Sequence, residues 1–122
     1  MSSQDFQHNE VALDAAARLV VFDRERFLTS TMNDYNLQRE VLNLFLDQLA
    51  HIRAVINLKP QSSSERKFMA HTLRGAAAAV GASEIESLAK SWEAVNFDPV
   101  VLDALLEDAR AAFVHEIRTF LS

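Results

Sequence analysis

Ala70-His71-Thr72-Leu73-Arg74-Gly75-Ala76-Ala77-Ala78-Ala79-Val80-Gly81 holds both glycines of the 122-residue chain and one of its four histidines. Nearly every residue in it favours a helix, so Gly75 serves no helical purpose: an interior glycine costs about 1 kcal/mol against alanine. Wound at about 100° per residue, the segment sorts into two faces. Met69, Leu73, Ala76 and Val80 form an apolar stripe, and Ser64, Lys67, His71, Arg74, Gly75 and Ala78 lie opposite it. His71 is therefore turned away from the core side. It has Lys67 about one turn before it, Arg74 about one turn after it, and the small Gly75 and Ala78 as a floor. The pattern predicts a nucleophile with cationic neighbours and room above the ring.

Helix signals recur on both sides of this stretch, and alternating strand patterns bounded by turn residues do not. Ser62 with Glu65 makes a capping box for the helix bearing His71, and Gly81 stops it in a left-handed cap. Upstream, Asp23 caps a short helix through about Thr31, and Asn33 or Asp34 caps the longest one, which runs to about Leu58 before Lys59-Pro60. Its inward stripe reads Leu37, Val41, Leu44, Phe45, Leu49, Ile52 and Ile56. Leu42 and Leu46 widen the apolar face beyond one core contact, either as a docking surface beside His71 or as a site covered by residues 11–22. Downstream, Ser83 with Glu86 starts a helix carrying Ile85, Leu88, Ala89, Trp92 and Val95 inward, with Trp92 as a core anchor. Asp98 followed by Pro99 opens the last helix, whose stripe is Leu102, Leu105, Leu106, Ala109, Phe113, Ile117 and Phe120. These elements predict an all-α fold: an antiparallel up-down-up-down four-helix bundle with a short extra N-terminal helix closing one end. Residues 1–10 read as a polar tail and residues 11–122 as a single domain.

The run His71-Thr72-Leu73-Arg74-Gly75, preceded by alanine and followed by small residues and Gly81, resembles the phosphorylation motif of histidine phosphotransfer (HPt) domains. That motif usually reads His-x-Leu-Lys-Gly with a second glycine six residues on, here Gly75 and Gly81. The resemblance extends upstream to Phe22-Asp23 and to the region from Asn33-Asp34 to Phe45, and downstream to Trp92-Glu93. Arg74 stands where lysine is more usual, offering a planar fork of donors in place of a point charge. Ala76-Ala77-Ala78 stands where serine or asparagine often occurs.

The resemblance implies a stand-alone phosphorelay protein. His71 would accept a phosphoryl group, on Nε2, from an aspartyl phosphate of a response-regulator receiver domain and pass it to another receiver. An upstream or hybrid histidine kinase would complete the set of partners. Arg74, with Lys67 as a second candidate, would offset charge on the phosphoryl oxygens, and Gly75 and Ala78 would let the receiver's loops reach the ring. Magnesium is expected on the receiver, and no cofactor or metal on this chain. The other reading of the same bundle is a docking module that regulates a receiver or kinase without carrying phosphate. For Lys67 the plainer reading is a solvated surface lysine.

Composition bounds the remainder. At 122 residues with 49% hydrophobic content the chain has room for one core and no second catalytic domain. A net charge of −5 argues against a nucleic-acid binder, and no apolar run approaches the length of a membrane span. With no cysteine and a polar Met1–Glu10 segment, the expected address is cytoplasmic. The two glycines match no nucleotide-cradling loop, so ATP-dependent autophosphorylation is not expected. His8, His51 and His115 lack metal-site spacing, and Asp47 with His51 reads as a solvated surface pair. No heptad seam persists past the last helix, which favours a monomer.

Overall fold

Four of the five helices among the described residues begin where a side-chain oxygen stands ready for amides that have no partner within the helix. The computed structural model describes residues 21–122, which form five helices and no strand. They are α1 (Arg24–Ser30), α2 (Tyr35–Leu58), α3 (Ser63–Ala79), α4 (Ser83–Ala94) and α5 (Pro99–Leu121). Asp23, Asp34 and Asp98 accept from amides of the first turns of α1, α2 and α5. Ser62 and Glu65 form both halves of the capping box of α3, at 3.1 and 2.8 Å. Helix α2 ends as Lys59 turns extended ahead of Pro60. Between α1 and α2 the chain turns through Met32 and Asn33, both at positive φ, which the sequence pattern did not signal.

The core lies where the four longer helices meet. Helix α3 packs most closely on α4, α2 touches both α3 and α5, α4 touches α5, and α1 lies against α3. Phe45, Leu49, Ile52, Ile56, Leu73, Ile85, Trp92, Leu106, Phe113 and Ile117 are buried. Phe22, Phe27, Phe113 and Phe120 meet edge to face at centroid distances of 5.4–6.2 Å. Such pairs add about 0.5–1.5 kcal/mol each beyond the area they bury. Of residues 11–22, expected to pack along the bundle, Val21 and Phe22 pack against the core, and residues 11–20 lie outside the described residues.

Several positions depart from the sequence reading. The inward line of α3 is Ala70, Leu73 and Ala77, continued by Val80, while Met69 and Ala76 are only half-buried. Close approach to α4 selects the smallest side chains for the interface, whereas a hydropathy stripe selects the largest. Leu44 is 62% exposed, and Val95, which follows the last residue of α4, is 57% exposed. Leu105 is 37% exposed. Helix α4 has Ala82 as its N-cap with no side-chain bond, and Ser83 lies inside the first turn. The Glu86 carboxylate pairs instead with Arg26 of α1 at 2.8 Å.

Gly81 joins α3 to α4 at φ +71°, and the Ala82 amide returns to the Ala77 carbonyl at 2.8 Å. The Gly81 carbonyl also accepts from the Asp23 amide at 2.7 Å, and the Ser30 hydroxyl donates to the Ala79 carbonyl. A Cβ on Gly81 would run into the Asp23 carbonyl. Gly81→Ala therefore combines left-handed strain with a backbone collision and should lower stability by about 1–3 kcal/mol. An unchanged urea midpoint would contradict this.

On the far side, Arg53 of α2 holds Asp103 at 2.8 Å and Glu107 at 3.1 Å on α5, and Arg110 also binds Glu107. Hydrogen bonding from Arg53 keeps the Asp103 carboxyl below its ordinary value of 3.8. Glu107 is lowered chiefly by its bond from Arg110 and less by Arg53. A carboxyl depressed by folding stabilises fully above its unfolded value, and that stability is lost as pH falls through the folded value. The stability difference between wild type and Arg53→Gln should thus be complete at neutral pH and shrink below about pH 4. A difference independent of pH would show that the pair does not act through these carboxylates.

Candidate functional site

The burial of Ala70, Leu73 and Ala77 against the rest of the bundle decides which way the opposite face of α3 points. His71 is on that face, its side chain 67% exposed. Gly75 is exposed one turn on, and nothing lies within 4 Å of where its Cβ would be. Ala78, a further turn along, is half-buried. Lys67 shares the face and is exposed, with no ion pair among the described residues. Small residues thus leave the space over α3 open on the C-terminal side of the imidazole.

Arg74 lies against the ring rather than beyond it. Its Nη2 donates to His71 Nδ1 at 3.1 Å, while its Nη1 is 3.2 Å from Oε1 of Glu93. The other Glu93 oxygen, Oε2, is 3.6 Å from the same Nδ1. One side of the imidazole is therefore occupied by an arginine and a carboxylate. No hydrogen bond engages Nε2 among the described residues. Glu93 reaches this place because the end of α4 is fixed to the start of α3. The Arg66 guanidinium donates to the Trp92 and Glu93 carbonyls, the latter at 2.8 Å, satisfying groups that a helix C-terminus leaves open. Buried Trp92 anchors the same turn.

Glu93 was not among the site residues read from the sequence. Nothing local signals it, since its partners sit on another helix and meet it only once the α3–α4 turn has closed. The sequence signal that could have pointed to it is its place beside Trp92, where the resemblance to the phosphotransfer motif ends.

Leu42 and Leu46 occupy another part of the molecule. Leu42 lines a cleft with Tyr35, Arg39 and Asn43 of α2 and Arg118 and Leu121 of α5. Leu46 follows one turn later, half-buried, on the stripe that continues to Arg53 and its partners on α5. The apolar surface next to His71 is instead a groove of about 330 Å³ between α2 and α3, lined by Gln48, His51, Ile52, Val55, Phe68, Met69 and Thr72. Phe68, 73% exposed, forms its lip one turn before His71. A phenylalanine left that open on a helix face is a signal the sequence carried, hidden by its offset from the main stripe.

Among the described residues no group of histidines, aspartates and glutamates could hold a metal ion, and no helix is long and apolar enough to cross a membrane. An exposed imidazole, an adjacent guanidinium and unobstructed space over the helix can accept a charged group from another molecule. Comparison with known proteins gives the same direction: the family model for the Hpt domain matches residues 40–121. No curated protein and no solved structure matches the chain.

Because the space at Gly75 is empty, a methyl group there meets nothing, and only the helix itself responds. Gly75→Ala should raise stability by about 1 kcal/mol, the usual gain for alanine over glycine in a helix interior. A loss of stability on urea unfolding would mean that the glycine serves the fold.

Proposed function

The chain belongs to the Hpt domain family, and on that premise we propose that His71 accepts a phosphoryl group from a receiver-domain aspartate and passes it to an aspartate of a second receiver. The observation that carries this reading is the exposed imidazole in the His71-to-Gly75 motif, with Arg74 in contact and open space along the helix. In the forward step Nε2 attacks phosphorus, the phosphorus–oxygen bond to the aspartate breaks, and the carboxylate leaves with its electron pair. Charge spreads over the equatorial oxygens of a loose transition state, where a guanidinium within reach is effective. Arg74 supplies it, with Lys67 as a second cation. Magnesium belongs to the receiver's acidic pocket.

The small residues Gly75 and Ala78 give the receiver's loops access to the ring. The groove beside Phe68 offers it apolar area, in keeping with a transient interface that excludes water around the transferring group. The closed ring of helix pairings and the short connections support an up-down-up-down antiparallel bundle as the rigid mount for this face. A receiver then finds the same preformed surface when it brings a phosphoryl group and when it takes one away.

Incubation with a panel of phosphorylated receiver domains tests the proposal. Wild type should acquire an acid-labile, base-stable label from at least one receiver, and His71→Gln should acquire none. Gly75→Leu should fold normally by circular dichroism yet accept phosphate about tenfold more slowly or worse, since misplacing reactants by an ångström is costly. Failure of every receiver to label wild type, with binding still measurable, would leave a docking regulator.

A further inference from the structure

The flank of α2 that faces α5 is left partly open. Tyr35, Arg39, Leu42 and Asn43 of α2, with Arg118 and Leu121 of α5, line a cleft of about 430 Å³. Leu42, Leu46 and Leu121 pack against core residues and are still only half-buried. Farther along, Arg53 closes the space between the two helices by holding Asp103 and Glu107. From Tyr35 to Leu46 the open stretch measures about 16 Å at the helical rise. Arg39 and Arg118 flank it, and neither has a carboxylate partner among the described residues.

The chain itself leads toward this place. The Asp23 amide is bonded to the Gly81 carbonyl at the α3–α4 turn, and one residue earlier the Phe22 ring meets Phe113 and Phe120 of α5 at 5.8 and 5.4 Å. Traced backward, the chain thus crosses one end of the bundle from α3 and α4 to α5, where Phe120 adjoins Leu121 of the cleft. The residues that come before are Val11-Ala12-Leu13-Asp14-Ala15-Ala16-Ala17-Arg18-Leu19-Val20. Asp14 and Arg18 continue a four-residue spacing begun by Glu10, and every other residue of the run is apolar. Monomeric proteins rarely leave so apolar a surface in water. In helical form the run spans about 15 Å, the length of the open cleft. Its acids, Glu10 and Asp14, are complementary to Arg39 and Arg118.

We propose that residues 11–20 dock in helical form into the cleft between α2 and α5, covering Leu42, Leu46 and Leu121 and bringing Glu10 and Asp14 within reach of Arg39 and Arg118. Phe22 is the anchor. With its ring held in the core, the run starts beside the cleft, and tethering gives it an effective concentration that a separate partner lacks. Once this flank is covered, the apolar surface that α2 offers a receiver is the one toward α3, the groove beside Phe68. That consequence rests on the reading of His71 as the phosphoryl carrier; the docking does not.

The chain has no cysteine, so a nitroxide on Ala16→Cys in the whole protein reports where the run lies. The amide signals of Asn43 and Leu121 should broaden strongly, and that of Leu58, at the far end of α2, should stay sharp. Sharp signals at both cleft positions would overturn the proposal. So would broadening in nitroxide-free, nitrogen-15-labelled chains mixed with nitroxide-bearing ones, which would seat a second copy in the cleft. Limited trypsin digestion gives an independent readout. Leu42→Asp, which places an unpaired charge in the cleft, should speed cleavage after Arg18 about tenfold or more, with circular dichroism unchanged. Arg39→Glu with Arg118→Glu should speed it as well, and adding Glu10→Lys with Asp14→Lys should slow it again. Cleavage at one rate in wild type and all variants would contradict the docking.

Discussion

The close packing of α3 on α4 is the constraint from which the rest of the molecule follows. Two helices approach this nearly only if the side chains between them are small, and Ala70 and Ala77 on one side with Ala89 on the other are fully covered. A connection this short must reverse the chain within a few residues, which Gly81 does in the left-handed region. Because Ala70, Leu73 and Ala77 face inward, His71 faces outward. Because the end of α4 is fixed to the first turn of α3, Glu93 meets His71 and Arg74. The backbone of the turn also supplies the carbonyls that fasten α1, so the short helix is held by the same geometry that presents the imidazole.

The chemistry on the exposed face depends on interactions weak enough to be exchanged. The Arg74–Glu93 pair is about one-third exposed on both sides, and ion pairs in that setting contribute between nothing and about 1 kcal/mol. A phosphoryl group with its multiple charges can outbid such a partner. The Arg53 cluster on the opposite flank shows the contrast: a bidentate bond to Asp103, a second carboxylate and a further arginine tie α2 to α5. One set of charges secures the bundle, and the other remains free to be redirected. A rigid frame with a labile pair at its surface suits a carrier that must accept and release the same group.

Much of this was legible in the sequence because the signals are local. Asp23, Asp34, Ser62 and Asp98 mark helix starts through contacts spanning three residues or fewer, and Gly81 marks a stop through its own backbone. The His71 motif declared its face because small and charged residues alternate with apolar ones at helical spacing. What escaped was decided between helices. Glu86 looked like half of a capping box but serves Arg26 on α1. Leu44 and Val95 fitted apolar stripes yet are more than half exposed. Leu42 and Leu46 drew attention as surplus leucines, but the cleft that holds Leu42 is the one between α2 and α5. Periodicity says which residues share a face and not what stands opposite, so Glu93 and the groove beside Phe68 became visible only with the fold assembled.

The account stands or falls on the outward nitrogen of one ring. Phosphorylated, nitrogen-15-labelled protein examined by phosphorus–nitrogen coupling in NMR identifies both the histidine and the ring atom that carries the group. A single phosphohistidine at Nε2 of His71 is the predicted result, since Arg74 contacts Nδ1 and no hydrogen bond engages Nε2 among the described residues. Phosphate on Nδ1 of His71, or on His8, His51 or His115, would contradict it.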